Sequence, residues 1–544
     1  MKMKRKNILM MGCLAGLLLL SACSSEENMA DTDNKIDVAK GIRFQFTEET
    51  FVPGEVAAAK QGTRAPAEPQ EIDLGNGIIA EATLEPDTIG CAQTRAGNPV
   101  PDGTYKIYAI DAGGIRHDGL TGTMTGGVFT PSGHWELEAG TYTFVCINSA
   151  VTDNNNELYV KLNPEDGMPL IGVSDPITVT NPFDVFVSFV MRHQQARVRY
   201  QFISYTEPIE SASLSWLNSD HTFDVGSAYF DLKGNRLRNG GTSAGIYYGG
   251  ALHLNQPYQP SSITKEYTYT TDYILCSPKF ATPTYYAIGG TLYGRTLWSN
   301  KMVWLGTLQK NHSYIWKLKL KNKDPWYLYN DGTIGSLAKR GSRTPIGVVV
   351  KEKTSDTDKG TAMALKDVSN VTVAYTTPYN MAKMNIQHNT THYTDANDAV
   401  NDMEGYKWTY EAAGSVDGRI KANFSSDYTP FYQAANYNPG VMVTGANVGK
   451  WYVPAFGEWA LSWKVLGQWD GNIPSGGILT MSVARMNNIF TAANGEAFKP
   501  YQYWTSTEYE GMMIPVLYVW GAGFSISSNA THNITGYVRP FVHF

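Results

Sequence analysis

The chain has 544 residues, enough for three or four units at ~150 residues each, which excludes a single small module. Charged residues make up 17% against about 25% in ordinary soluble domains, while 33 Tyr, 13 Trp and 52 Gly supply strand and turn formers; this excludes a disordered or coiled-coil chain and points to β-rich domains. A net charge of −6 leaves no basic field to gather phosphates, which argues against nucleic-acid binding.

At the start, Lys2, Lys4, Arg5 and Lys6 precede a 13-residue apolar run over 8–20, too short for an ordinary membrane span and of the form of a secretory signal. It ends in Leu20-Ser21-Ala22-Cys23, which resembles the lipobox of bacterial lipoproteins. That resemblance implies acylation of Cys23, removal of residues 1–22 and anchoring to a membrane through the lipid. The acidic run Ser24-Ser25-Glu26-Glu27 resembles the signal that sends lipoproteins to the outer face of the outer membrane. Residues 23–40 read as a polar tether. Cys91, Cys146 and Cys276 are the three remaining cysteines. They read as small buried apolar residues, with one disulfide among them left open in an oxidising compartment.

Strand signals then follow one another with turns between them, the pattern of all-β sandwiches. Strands are predicted over 105–110, 141–147, 184–191 and 196–202. The sharpest alternation sets Tyr314, Trp316, Leu318 and Leu320 against Lys317, Lys319 and Lys321, one face buried and one wet. The polar stretch Asn322-Lys323-Asp324-Pro325 marks a boundary. Beyond it helical patterns mix with strands: one helix is predicted over 458–467, and a second from Leu479, Val483, Met486 and Phe490.

The segments Ile42-Arg-Phe-Gln-Phe46, Trp135-Glu-Leu-Glu-Ala-Gly-Thr-Tyr-Thr-Phe144 and Val187-Ser-Phe-Val-Met-Arg-His193 running into Ala196-Arg-Val198 resemble the fimbrillin family of type V pilus subunits. The resemblance implies two transthyretin-like β-sandwiches, 41–194 and 195–323. It also implies lipoprotein export and loss of the first strand to an Arg/Lys-specific protease, followed by filling of the vacated groove by a neighbouring subunit's strand. Arg64, in a glycine- and proline-containing stretch that resists regular structure, and Arg95 are the two candidate cleavage points. His193 reads as a structural residue.

Six motifs occur in order across 324–544: Tyr329-Asn-Asp-Gly-Thr333, Thr344-Pro-Ile-Gly-Val-Val-Val350, Ala364-Leu-Lys-Asp367, Trp451-Tyr-Val-Pro454 with Glu458-Trp459, Tyr503-Trp-Thr-Ser-Thr-Glu508, and Val538-Arg-Pro-Phe541. They resemble an α+β lectin-like domain related to the C-type lectins. Trp451, Tyr503, Trp504 and Arg539 read as architecture, with Glu508 and Asp367 as candidate partners for Arg539. A ligand surface is expected at Tyr509, Met512, Met513, Tyr518, Trp520 and Phe524, aromatics with polar neighbours of the kind that stack on sugars. No catalytic residue, cofactor or metal is expected. His388 and His392 lack the intervening glutamate of H-E-x-x-H and sit in an Asn/Thr-rich loop, and Glu458 and Asp470 form no recognisable acid/base pair.

These observations combine into one expectation: a non-enzymatic tip adhesin of a type V pilus, mainly β, lipid-anchored to the outer membrane before processing. Its partners would be other pilus subunits and a glycan or protein on a host or bacterial surface. The competing expectation is an anchored outer-membrane lipoprotein that binds glycans for nutrient uptake.

Overall fold

The computed structural model describes residues 35–54, 69–91, 98–161, 167–180, 185–217, 227–239, 249–253, 258–276, 285–302, 308–378, 380, 388–510, 514–520, 523–527 and 534–544. Cys23, Arg64, Arg95, Met512 and Met513 lie outside them. The fold is mainly β, with three packed units in chain order.

The first unit is built on one large sheet. Its strands run in the order Ile42–Glu48, Val185–His193, Leu170–Val173, Gly140–Asn148, Gly103–Asp111, Arg116–Thr125 and Val128–Ser132. A small second layer pairs Lys35–Asp37 with Glu136–Glu138. This corrects the tether reading for residues 35–40: Ile36, on the strand, and Val38, opening the short helix Val38–Gly41 that Asp37 caps, are both fully buried in the core of the first unit.

The second unit has two facing sheets. One runs Glu266–Thr270, Ala196–Tyr205, His312–Asn322, Ile78–Pro86 and Gln70–Asp73; the other runs Gly249–His253, Ser211–Leu217, Tyr285–Leu292 and Arg295–Met302. The serial division at 194/195 is therefore corrected, since the strands Gln70–Asp73 and Ile78–Pro86 belong to the second sandwich. The reason is pairing: Ile78–Pro86 forms a nine-residue antiparallel ladder with His312–Asn322, burying Ile78, Ala80 and Ala82. A bridging sheet, Val151–Asp153, Leu158–Val160, Ala228–Phe230 and Arg236–Asn239, takes strands from both units and closes a shared core around Tyr108, Val145 and Phe230.

The alternation of 314–320 is realised: Tyr314, Leu318 and Leu320 are 0% exposed and Trp316 1%, while Lys317 and Lys321 reach Glu85 and Glu81 at 2.5 Å. Among the other cysteines, Cys91 and Cys146 are free thiols. His193 is buried, stacked on Phe51 with centroids 4.1 Å apart and 3.0 Å from Glu48.

The third unit is α+β. A six-stranded sheet ordered Ile334–Gly335, Tyr327–Tyr329, Pro345–Lys351, Thr361–Ala364, Phe541–His543 and Trp451–Tyr452 packs on a four-stranded one ordered Ile478–Thr480, Gly523–Ser527, Val516–Trp520 and Gln502–Trp504, with helices Phe456–Gly467 and Val483–Ala492 against them. The second helix starts later than its apolar spacing predicts. Leu479 lies on a strand, and the Ser482 hydroxyl, accepting the Arg485 amide at 3.1 Å, caps the helix at Val483. The core of this unit is continuous with that of the second sandwich through Trp326, Leu328, Val542 and Phe544.

Candidate functional site

Three features carry chemistry or recognition. The first is the sheet edge at Ile42–Glu48. Among the described residues its one ladder is with Val185–His193, parallel over seven residues, and at its end Glu48 bridges Asn98 on the other side through two backbone hydrogen bonds of 2.8 and 3.2 Å. Ile42 is buried, Arg43 and Gln45 are exposed, and Phe44 and Phe46 are half-buried. Their rings close over an aromatic floor: Phe44 lies 6.0 Å from Phe189 and 6.3 Å from Phe144, and Phe46 lies 5.4 Å from Phe189 and 5.3 Å from Phe129. An edge strand of this kind is held by one ladder and a row of side-chain contacts, so its removal leaves a lined slot with unpaired backbone groups.

The chain then crosses between units. Phe51 is buried beneath the Arg197 guanidinium, and Val52–Pro53 adds a two-residue parallel bridge onto His312–Ser313. Gly54 is placed where a Cβ would collide with the Tyr314 ring at 2.1 Å, which fixes how closely the crossing hugs the second sandwich.

The second feature is the wet face of the four-stranded sheet. Along Val516–Trp520 the parity is decided by burial: Leu517 and Val519 face the core they share, while on the other face Val516 is buried in a separate cluster and Tyr518 and Trp520 are 39% and 41% exposed. Tyr518 lies directly opposite Gln502 on one side and Ser525 on the other, and Ser525 is opposite Ile478. One rung therefore presents Ile478, Ser525, Tyr518 and Gln502 in a row. The next presents Thr480, Gly523 and Trp520, with glycine beside the indole leaving its neighbouring position bare. Flat rings flanked by short polar side chains form a platform for stacking on a sugar face or a peptide.

Two expected ligand residues are corrected. Phe524 is 0% exposed and sits 5.6 Å from both Trp463 and Phe498; Tyr509 is 2% exposed. Phe524 lies on the inward parity of its strand, Tyr509 lies outside the strands, and both are core.

The third feature was not assembled by sequence reasoning. The loop holding His388 and His392 comes against Glu508, more than a hundred residues further along. Glu508 Oε2 is 3.6 Å from His388 Nδ1 and 3.4 Å from His392 Nε2, and it accepts the Asn389 amide at 2.8 Å. On the other carboxylate oxygen, the buried Lys421 ammonium is 3.9 Å away and donates to Asn389 Oδ1. Burial alone would raise the Glu508 pKa; the Lys421 charge, followed by the two imidazoles and the Asn389 amide, draws it down to about 2. Burial lowers the Lys421 pKa, opposed by Glu508 and Asp417.

Glu508 is therefore not the partner of Arg539, because Lys421 and the imidazoles hold it. Asp367 is that partner, at 2.6 Å. Arg539 is fully buried and donates to the Leu365 carbonyl at 3.0 Å. Glu458 is also architectural: it accepts the Tyr452 hydroxyl at 2.6 Å and the Ala455 amide at 2.8 Å, and burial pushes its pKa up to about 8.

No family model matches the chain, and no curated protein matches it. Among solved structures it is similar to a fimbrial protein from Bacteroides ovatus, at 12% identity and a TM-score of 0.28, covering 93% of this chain and 100% of that one. It is also similar to the fimbrial anchor protein Mfa2 from Porphyromonas gingivalis, at 11% identity and a TM-score of 0.23, covering 48% and 81% of the two chains. A third likeness is to a fimbrial assembly protein from Parabacteroides distasonis, at 14% identity and a TM-score of 0.23, covering 41% and 88%.

Proposed function

We propose that the chain is a fimbrial tip adhesin: exported as a lipoprotein through Cys23, cut after Arg64, filled at its first sandwich by a neighbour's strand, and presenting Tyr518 and Trp520 to a surface ligand. The observation that carries this reading is the contrast in strand pairing. Ile42–Glu48 is an edge strand over an aromatic slot, whereas Phe541–His543 is paired on both sides with Phe541 and Val542 fully buried. A sandwich whose edge strand can be vacated accepts a strand; a strand locked between two neighbours, as Phe541–His543 is, is not lent onward.

The same pairing discriminates between the candidate cleavage points. A cut after Arg64 takes away the edge strand, the short strand Lys35–Asp37 together with the buried Ile36 and Val38, and the bridge Val52–Pro53. A cut after Arg95 would also take Ile78–Pro86 from the interior of the second sheet, with its nine-residue ladder. Arg64 is therefore the favoured site. The role is binding, not catalysis, with subunits of the fibre and a glycan or protein ligand as partners, and it locates the protein at the cell surface on a fimbrium. Immunogold labelling of fibres from the source cells tests the position: label at one end supports the reading, and label along the length or none on fibres overturns it.

A further inference from the structure

We infer that His388, His392 and Glu508 form a binding site for one divalent transition-metal ion, of the zinc class, in the third unit. The two imidazole nitrogens and the carboxylate oxygen all lie within 4.8 Å of one another. Of the separations, 3.4 Å falls within, and 3.6 Å about 0.1 Å above, the ligand-to-ligand spacing of about 3.3–3.5 Å that a tetrahedron with bonds of 2.0–2.1 Å requires. An N₂O donor set of this kind suits zinc, copper or nickel over calcium or magnesium, which take oxygen ligands in larger number.

The surroundings are those of a built site. Glu508 and Lys421 are 2% and 1% exposed, and the Asn389 amide donates to Oε2 at 2.8 Å and holds it in place. The Asn389 side-chain amide in turn donates to the Ser506 carbonyl at 2.7 Å, tying the histidine loop to the segment that ends in Glu508. Lys421 is the apparent objection, since its ammonium neutralises Glu508. Its charge is shared, however: Asp417 also acts on it. The ion thus enters surroundings in which Glu508, Asp417 and Asp427 face Lys421 and Arg419, three carboxylates against two cations. Lys421 also faces the far oxygen, Oε1, and leaves Oε2 to the ion.

His392 is 33% exposed, so the ion is reachable from solvent and a fourth position stays open to water or to a donor from a ligand. The bound ion would staple residues 388–393 to 506–510. That reinforces the backbone bonds from the Tyr393 amide to the Glu508 carbonyl and from the Glu510 amide to the Tyr393 carbonyl, both 2.9 Å.

The test titrates the full chain, stripped with a chelator, with Zn²⁺ by calorimetry and with Co²⁺ by visible absorption. One equivalent is expected, with the intense d–d bands of a low-coordinate cobalt site and a raised melting temperature. His392→Ala, at a partly exposed position, should keep the metal-free melting temperature and weaken binding by at least about tenfold, the loss typical of removing even an outer-shell partner. Glu508→Gln should abolish the cobalt bands. His134→Ala, at an exposed histidine beside Asp37 and Glu136, should change nothing. Absence of a stoichiometric site overturns the inference, as do affinity unchanged in His392→Ala and affinity lost in His134→Ala.

Discussion

Ile42–Glu48 and Phe541–His543 lie near opposite ends of the chain, and both are short strands with apolar residues turned inward. Among the described residues the first has one ladder, parallel, a single bridge from Glu48 to Asn98, and two half-buried phenylalanines packed beneath it. The second has an antiparallel neighbour on each side and follows Arg539, whose guanidinium is buried against Asp367. A strand with one ladder can be exchanged for another of similar pattern, because the incoming strand restores the same backbone bonds and refills the same slot. A strand with two ladders cannot leave without breaking the sheet around it.

The largest effect should come from the locked end. Arg539→Met leaves the Asp367 carboxylate without its main partner in a fully buried position and frees the Leu365 carbonyl it serves. A loss of about 3–5 kcal/mol is expected, read as a lowered denaturation midpoint; a loss no larger than that of a surface substitution would break the comparison.

A pH effect on the same strand should be smaller. Burial, followed by the Lys359 and Lys351 charges, lowers the His543 pKa from 6.5 to about 4, opposed by the Gly360 hydrogen bond. The folded state thus holds His543 neutral where the unfolded chain would protonate it. Stability is full above the unfolded value, near 6.5, and is lost as pH falls from there toward about 4, by on the order of 2–3 kcal/mol. The difference between the parent chain and His543→Gln in denaturant midpoint, taken at pH values across that window, should shrink as pH falls. A constant difference would contradict the assignment.

The smallest effect belongs to the exchangeable strand. Phe46→Ala should cost about 1–2 kcal/mol, below the ~3–5 of a fully buried phenylalanine, because the ring is half-exposed and its strand has one ladder. A larger cost would mean that the edge is as firmly built in as the last strand.

What could be read from the sequence was whatever depended on local period. The alternation ending in Leu320 placed a strand and its buried face, because a two-residue period is visible without knowing the partner. The pairing of Ile78–Pro86 with His312–Asn322 spans more than two hundred residues and is decided by topology, so it escaped a serial division of the chain. On the strand Val516–Trp520 the alternation around Val519 showed that Tyr518 and Val519 point opposite ways, but the burial of Leu517 and Val519 in the core was needed to decide which way is out. Glu508 shows the same limit. Sequence reasoning offered it to Arg539 as one carboxylate among two, whereas its partners are Lys421 and the two histidines, which only the fold brings within reach. Helix spacing also misplaced Leu479, since the strand pairing with Phe524 overrides a helical period.

The central claim is that Ile42–Glu48 is the strand this chain gives up. Mass spectrometry of the N-terminus of the protein recovered from purified fibres tests it most directly. The account predicts a mature chain beginning at Ala65, with the second sandwich intact. A chain in fibres that still carries acylated Cys23 and residues 42–48, or one beginning at Ala96 with Ile78–Pro86 removed, would contradict it.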